Sequence, residues 1–148
     1  MECGDCTACC TLSVVPELNK KAGEHCFHCV NNGCEIYGNH PQVCKDFECA
    51  YFQGGNDIEL RPDKCGVMFT KKNDRIFSGI RVEGVPLTEK GKGQILSFLK
   101  QGYSVVLLKL GEHPYIQVAE GHDEEEIYEE YKNLLLDKWQ HIAQTYLH

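Results

Sequence analysis

Ten cysteines in 148 residues constrain this chain more than any other feature. Four fall in one run, Cys3-Gly4-Asp5-Cys6-Thr7-Ala8-Cys9-Cys10, which is C-x-x-C-x-x-C-C. Placed on a helix at about 100° per residue, the four thiols occupy an arc of roughly 120°. One or two helical turns would then aim four sulfurs at one point. The thiolate is the form that binds metal, and soft sulfur donors favour zinc, iron–sulfur clusters and related metals over hard cations. The run is therefore expected to be half of a cysteine-rich metal site.

The other half lies between residues 26 and 49. Cys26-Phe27-His28-Cys29 is a C-x-x-C. Asn31-Asn32-Gly33 reads as a turn, because Asn and Gly tolerate positive φ. Cys34 follows directly, Pro41 breaks the chain again, and Cys44 and Cys49 complete the set. The segment alternates turn formers with thiols and carries few apolar residues. It cannot build a core unaided, so a bound metal would have to contribute folding free energy. His25 and His28 flank cysteines and are weaker ligand candidates. Whether Cys29 and Cys65 ligate is left open by the spacing. Lys20 and Lys21 could offset thiolate charge, although a solvated loop is the ordinary role of such residues.

Composition narrows the setting. The formal net charge of -7 argues against a broad phosphate-binding surface, so no nucleic-acid partner is expected. No apolar run approaches the roughly 20 residues of a membrane helix, and no membrane partner is expected. No charged n-region followed by an apolar h-region marks export, so the expected compartment is the reducing cytoplasm. Clustered cysteines there point to metal or redox chemistry rather than a disulfide framework.

Residues 65 to 148 have a different character. Residues 66–70 and 75–82 are strand-like, with Lys71-Lys72-Asn73-Asp74 as the loop between them. Thr88 is placed to cap a helix whose apolar face includes Ile95, Phe98 and Leu99. Tyr103 to Leu110 is a nearly continuous apolar strand, expected to be central, and residues 114–119 answer it. Asp123 opens a last helix, with Glu126 placed to complete a capping box. Ile127, Tyr131, Leu134, Leu135, Trp139 and Ile142 recur there at helical spacing. The expected fold class is α+β: an irregular cysteine-rich lobe (1–52) packed on a β-β-α-β-β-α lobe (65–148). The turn cluster Gln53-Gly54-Gly55-Asn56-Asp57 and the turn Arg61-Pro62-Asp63 lie between them.

The cysteine pattern resembles the zinc- or iron-chelating family described as the YkgJ-type cysteine cluster, or CxxCxxCC Fe-S-cluster-containing proteins. After the opening run, that pattern continues with a cysteine before Phe, a Gly-Cys-x-Ile-Tyr turn, a Pro before a further Cys, and Cys-x-x-Phe-x-Cys. This chain supplies Cys26-Phe27, Gly33-Cys34-Glu35-Ile36-Tyr37, Pro41 before Cys44, and Cys44-Lys45-Asp46-Phe47-Glu48-Cys49. The match covers roughly residues 3 to 52. Two positions depart from it: His40 stands where the family has Arg, and Cys29 where it has Leu. The resemblance implies eight metal ligands, Cys3, Cys6, Cys9, Cys10, Cys26, Cys34, Cys44 and Cys49. Eight thiolates make two tetrahedral sites or one multinuclear site with bridging sulfurs.

The expected function is a cytoplasmic metal-binding protein holding zinc, or alternatively iron, with the metal mainly structural and a protein partner as the class of partner left open. The first alternative is an iron–sulfur redox protein. Cys3, Cys6 and Cys9 match the first three cysteines of a bacterial ferredoxin run, and a distant Cys44 or Cys49 would have to be the fourth. The second is a protein-modifying, methyltransferase-like enzyme, as in a longer branch of the family linked to flagellin lysine methylation. No catalytic residue, nucleoside-cofactor motif or oligomeric state can be assigned from the pattern.

Overall fold

The computed structural model describes residues 6–31, 33–47, 49–51 and 57–146, with backbone only at Trp139 and 141–146. Cys3, the Gln53-Gly54-Gly55-Asn56 stretch and the side chains of Trp139 and Ile142 lie outside it. The architecture is α+β. The cysteine-bearing segment contributes α1 (Ala8–Leu12), a 3-10 turn (Pro16–Leu18), the hairpin β1 (Cys29–Val30) and β2 (Gly33–Cys34), and α2 (Gln42–Asp46). A second 3-10 turn (Ile58–Leu60) and α3 (Pro62–Cys65) lead into β3 (Val67–Lys71), β4 (Ile76–Arg81), α4 (Glu89–Lys100), β5 (Ser104–Leu108), β6 (Tyr115–Gln117) and α5 (Glu124–Tyr146). The last six follow in the expected β-β-α-β-β-α order.

Four strands form one sheet in the order β3-β4-β5-β6. The outer pairs are antiparallel and the inner pair, β4 with β5, is parallel. A parallel pair needs a crossover, and α4 supplies it. β5 is interior, as its continuous apolar run implies: Val105 and Val106 are fully buried on opposite faces. The loop before β4 is fixed by the Asn73 side chain, whose Oδ1 accepts from the backbone N–H groups of Arg75 and Ile76 at 2.8 and 2.9 Å.

The alternation of side chains along the strands divides the core in two. Val67, Phe69, Phe77 and Val105 face α4, where they meet Ile95 and Phe98. On the opposite face Ile76 and Val106 meet Ile127 and Tyr131 of α5. That face also carries Met68, with Ile80 and Val82, and there the cysteine segment docks: Ala8, Leu12 and Cys49 cover Met68.

Three local expectations are corrected. α1 begins at Ala8, so Cys6 and Thr7 are not helical and the opening run is not one continuous thiol-bearing helix. A helix that short pays the nucleation penalty with little propagation, and tertiary contacts set its limits. Arg61-Pro62-Asp63 is not a free turn. Pro62 is the first residue of α3, where its missing N–H costs nothing, and the helix ends at Gly66 with φ +87°. Only half of the capping box at Asp123 forms. Asp123 Oδ2 accepts from the Glu126 N–H at 3.1 Å, whereas the Glu126 carboxylate reaches Arg75 at 3.3 Å. The Thr88 cap is as expected, with its hydroxyl accepting from the Gly91 N–H at 3.2 Å. Among the described residues no helix is long and apolar enough to cross a membrane.

Phe98 joins α4 to the sheet, stacked on Phe77 at 3.9 Å between ring centroids and edge-on to Phe69 at 5.2 Å. Phe98→Ala is expected to lower stability by about 3–5 kcal/mol, the cost of emptying a buried aromatic site. Urea unfolding followed by far-UV circular dichroism checks it; a loss under 1 kcal/mol would mean that this aromatic contact does not hold the helix to the sheet.

Candidate metal centre

The thiols are positioned by backbone contacts that tie distant stretches together. The Cys10 carbonyl, in α1, accepts from the Cys26 N–H at 2.9 Å, and the Thr11 carbonyl accepts from the Gly23 N–H at 2.9 Å. These bonds strap the 19–26 loop to the helix. The C-x-x-C forms a tight turn closed by the Cys29 N–H on the Cys26 carbonyl at 3.0 Å. Cys29 then pairs directly with Cys34 across the β1–β2 hairpin. Cys44 sits in α2, whose start approaches the first 3-10 turn through Glu17 Oε1, an acceptor for the Val43 N–H at 3.4 Å.

Cys10, Cys26, Cys29, Cys34 and Cys44 form one group. The Cys10 thiol neighbours Cys9 and Cys29; Cys9 and then burial push it well above the ordinary thiol range, while Cys29 and Lys20 act in the opposite direction. Burial and then the charges of Cys10 and Cys26 push the Cys29 thiol up to about 11. Cys44 is pushed up to about 11 by burial and by Cys10, Cys26 and Cys34. Burial raises Cys34 as well, with Cys10, Cys26 and Cys29 adding to it. Cys29, Cys34 and Cys44 thus each lie in the field of Cys10 and Cys26. A divalent cation among them would reverse that field and favour the thiolate form.

Cys6, Cys9 and Cys49 form a second group, packed around Met68 with Phe47 and Tyr51 beside them. Cys6 is raised, mainly by burial, and lies near Asp63 and Arg61. Arg61 is itself buried and holds Asp63 with two bonds, Nε to Oδ1 at 2.6 Å and Nη2 to Oδ2 at 2.8 Å. The two groups adjoin where Cys9 meets Cys10. Cys9 packs against the Met68 cluster and Cys10 neighbours Cys29, with Cys9 and Cys10 themselves in contact; Cys3 lies outside the described residues.

Other candidates fall outside both groups or are otherwise engaged. Cys65 is fully buried in the sheet core, and its thiol donates to the carbonyls of Val67 and Leu60. His25 has both ring nitrogens in use, Nδ1 with the Thr11 hydroxyl at 3.3 Å and Nε2 with the Cys29 carbonyl at 3.1 Å. His28 Nδ1 faces the Glu35 carboxylate at 2.9 Å. Among the described residues no three His, Cys, Asp or Glu side chains converge closely enough to hold an ion as they stand. The donor chemistry nevertheless fits a thiolate-bound metal: the first group is all sulfur, and a change of χ1 between staggered wells redirects each Sγ.

Lys20 is the residue whose role the sequence concealed. It is 6% exposed rather than solvated. Its ammonium donates to the carbonyls of Thr11 (3.2 Å), Ser13 and Lys21 (3.3 Å), drawing the loop around the end of α1. Burial lowers its pKa, while the nearby Cys26, Cys10 and Cys44 act in the opposite direction. A fixed cation beside three thiols offsets part of the negative charge of a four-thiolate shell, which on Zn²⁺ is formally about -2. Beside it, Leu18, Glu24, His25 and Cys26 line an open pocket of about 350 Å³, a way in from solvent to the first thiol group.

Lys20→Met keeps the apolar stem and removes three donors. It is expected to cost roughly 1.5–3 kcal/mol, the range for hydrogen bonds to a charged group. Amide exchange at Gly23 and Cys26 should accelerate in the reduced protein; unchanged rates at both would show that the loop is held by something else.

Comparison of the chain with protein-family models, with curated proteins and with solved structures gave no match.

Proposed function

We propose that this chain is a cytosolic metal-binding protein that holds zinc through clustered cysteine thiolates, with the metal mainly structural. One observation carries the reading: backbone bonds and strand register draw α1, the C-x-x-C turn and the hairpin together, with Cys44 of α2 and the buried Lys20 near their thiols. The resemblance to the YkgJ-type cysteine cluster supports it independently. A shell of four thiolates leaves no open position for water or substrate, which favours a structural over a catalytic ion. Cys6, Cys9 and Cys49 pack in one cluster, and with Cys3, which the family pattern also matches, they would supply four donors for a second shell. A protein partner remains the favoured class of partner, since the segment offers exposed Phe27 and Tyr37 side chains beside the thiols.

A second reading, an iron–sulfur redox centre, rests on the match of Cys3, Cys6 and Cys9 to the first three cysteines of a bacterial ferredoxin run. The colour of the purified protein separates the two: iron–sulfur clusters give broad visible absorption, whereas zinc is d¹⁰ and colourless.

Anaerobic, reduced purification followed by elemental analysis is expected to give two zinc ions per chain. Because thiolates must be deprotonated to bind, each proton that returns competes with the metal, so acidification should release zinc and neutralisation should restore it. Cys6→Ser and Cys34→Ser should each lower the zinc content, and Cys65→Ser should leave it unchanged. Metal-free protein with native-like stability would contradict the reading.

A further inference from the structure

We propose that Cys29, one of the two cysteines outside the family pattern, is itself a metal ligand, in one shell with Cys10, Cys26 and Cys34. The inference rests on the thiolate-metal reading above and specifies its first site. Backbone bonds link Cys10, Cys26 and Cys29, and Cys34 lies directly opposite Cys29 in the hairpin. Cys26 donates its N–H to the Cys10 carbonyl at 2.9 Å, Cys29 donates to the Cys26 carbonyl at 3.0 Å, and Cys29 is in register with Cys34. The side chains agree, since the thiols of Cys10 and Cys29 share a hydrogen bond.

The position of Cys29 suits the role. A C-x-x-C closed into a turn presents both sulfurs on one side, and such a pair is the usual half of a tetrahedral zinc site. Cys29 is also 8% exposed, so its thiol is shielded where a ligand should be. Thr7 shares a hydrogen bond with the same sulfur and orients it from outside. Cys44 stands apart: it lies in the field of Cys10, Cys26 and Cys34 from a separate helix. With Cys29 in the shell, Cys44 becomes a fifth thiol beside it, carried by α2.

The full reduced chain loaded with ¹¹³Cd²⁺ tests this without any substitution. Scalar coupling between ¹¹³Cd and cysteine Hβ protons identifies each ligand directly. The expected spectrum couples Cys29 to the same cadmium as Cys10 and Cys26. Coupling from Cys10, Cys26, Cys34 and Cys44 with Cys29 silent would overturn the assignment and leave the metal reading intact. No coupled cysteine at all would overturn both. In support, Cys29→Ser should reduce the cadmium–thiolate charge-transfer absorbance of that site by about a quarter, as expected for one of four sulfurs. An undiminished band in the folded variant would count against the assignment.

Discussion

The cysteine segment has very little apolar surface to bury, and the rest of its structure follows from that shortage. Its described buried apolar residues are Ala8, Leu12, Val15, Cys29 and Cys49, small or sulfur-bearing except for Leu12 and Val15. Burying such side chains offsets only a few kcal/mol of conformational entropy. Ordering about forty residues costs many times that. The difference has to come from something other than a core, and thiols gathered from four elements are the group able to provide it. A metal that bound only the folded segment would contribute its binding free energy directly to folding.

The sheet half solves the opposite problem. Its two faces are covered by α4 on one side and by α5 on the other, and the aromatic stack of Phe69, Phe77 and Phe98 fills the first of these layers. One part of the α5 face is left to the cysteine segment, where Met68 is covered by Ala8, Leu12 and Cys49. The two halves are coupled through this apolar contact and through contacts of α2 and the first 3-10 turn with α5. Cys6, Cys9 and Cys49 are part of the apolar contact, so a metal bound there and the covering of Met68 would favour each other.

Much of the sheet half was legible because its signals are local. Asn73 and Asp74 mark the loop, Thr88 marks the helix start, and the unbroken apolar run at Tyr103 to Leu110 marks an interior strand. The parallel pairing of β4 with β5 was not legible, because strand partners depend on the crossover and not on either strand's own pattern. In the cysteine half the spacing pointed to candidate donors but not to their surroundings. Helical spacing placed the opening run on one arc, yet the helix starts only at Ala8, so Cys6 lies outside it. Lys20 was hidden for a related reason. A lysine in a polar loop is normally solvated, and only the carbonyls at the end of α1 make its burial tolerable.

The central claim is that a thiolate-bound metal, not a hydrophobic core, holds the cysteine half together. Hydrogen exchange of the reduced protein, with and without a strong chelator, tests it most directly. Chelation should sharply raise exchange at Cys10, Gly23, Cys26 and Cys29 while the amides of Val105 to Leu108 stay protected. Unchanged protection at those four cysteine-half amides, or equal loss along the whole chain, would contradict it.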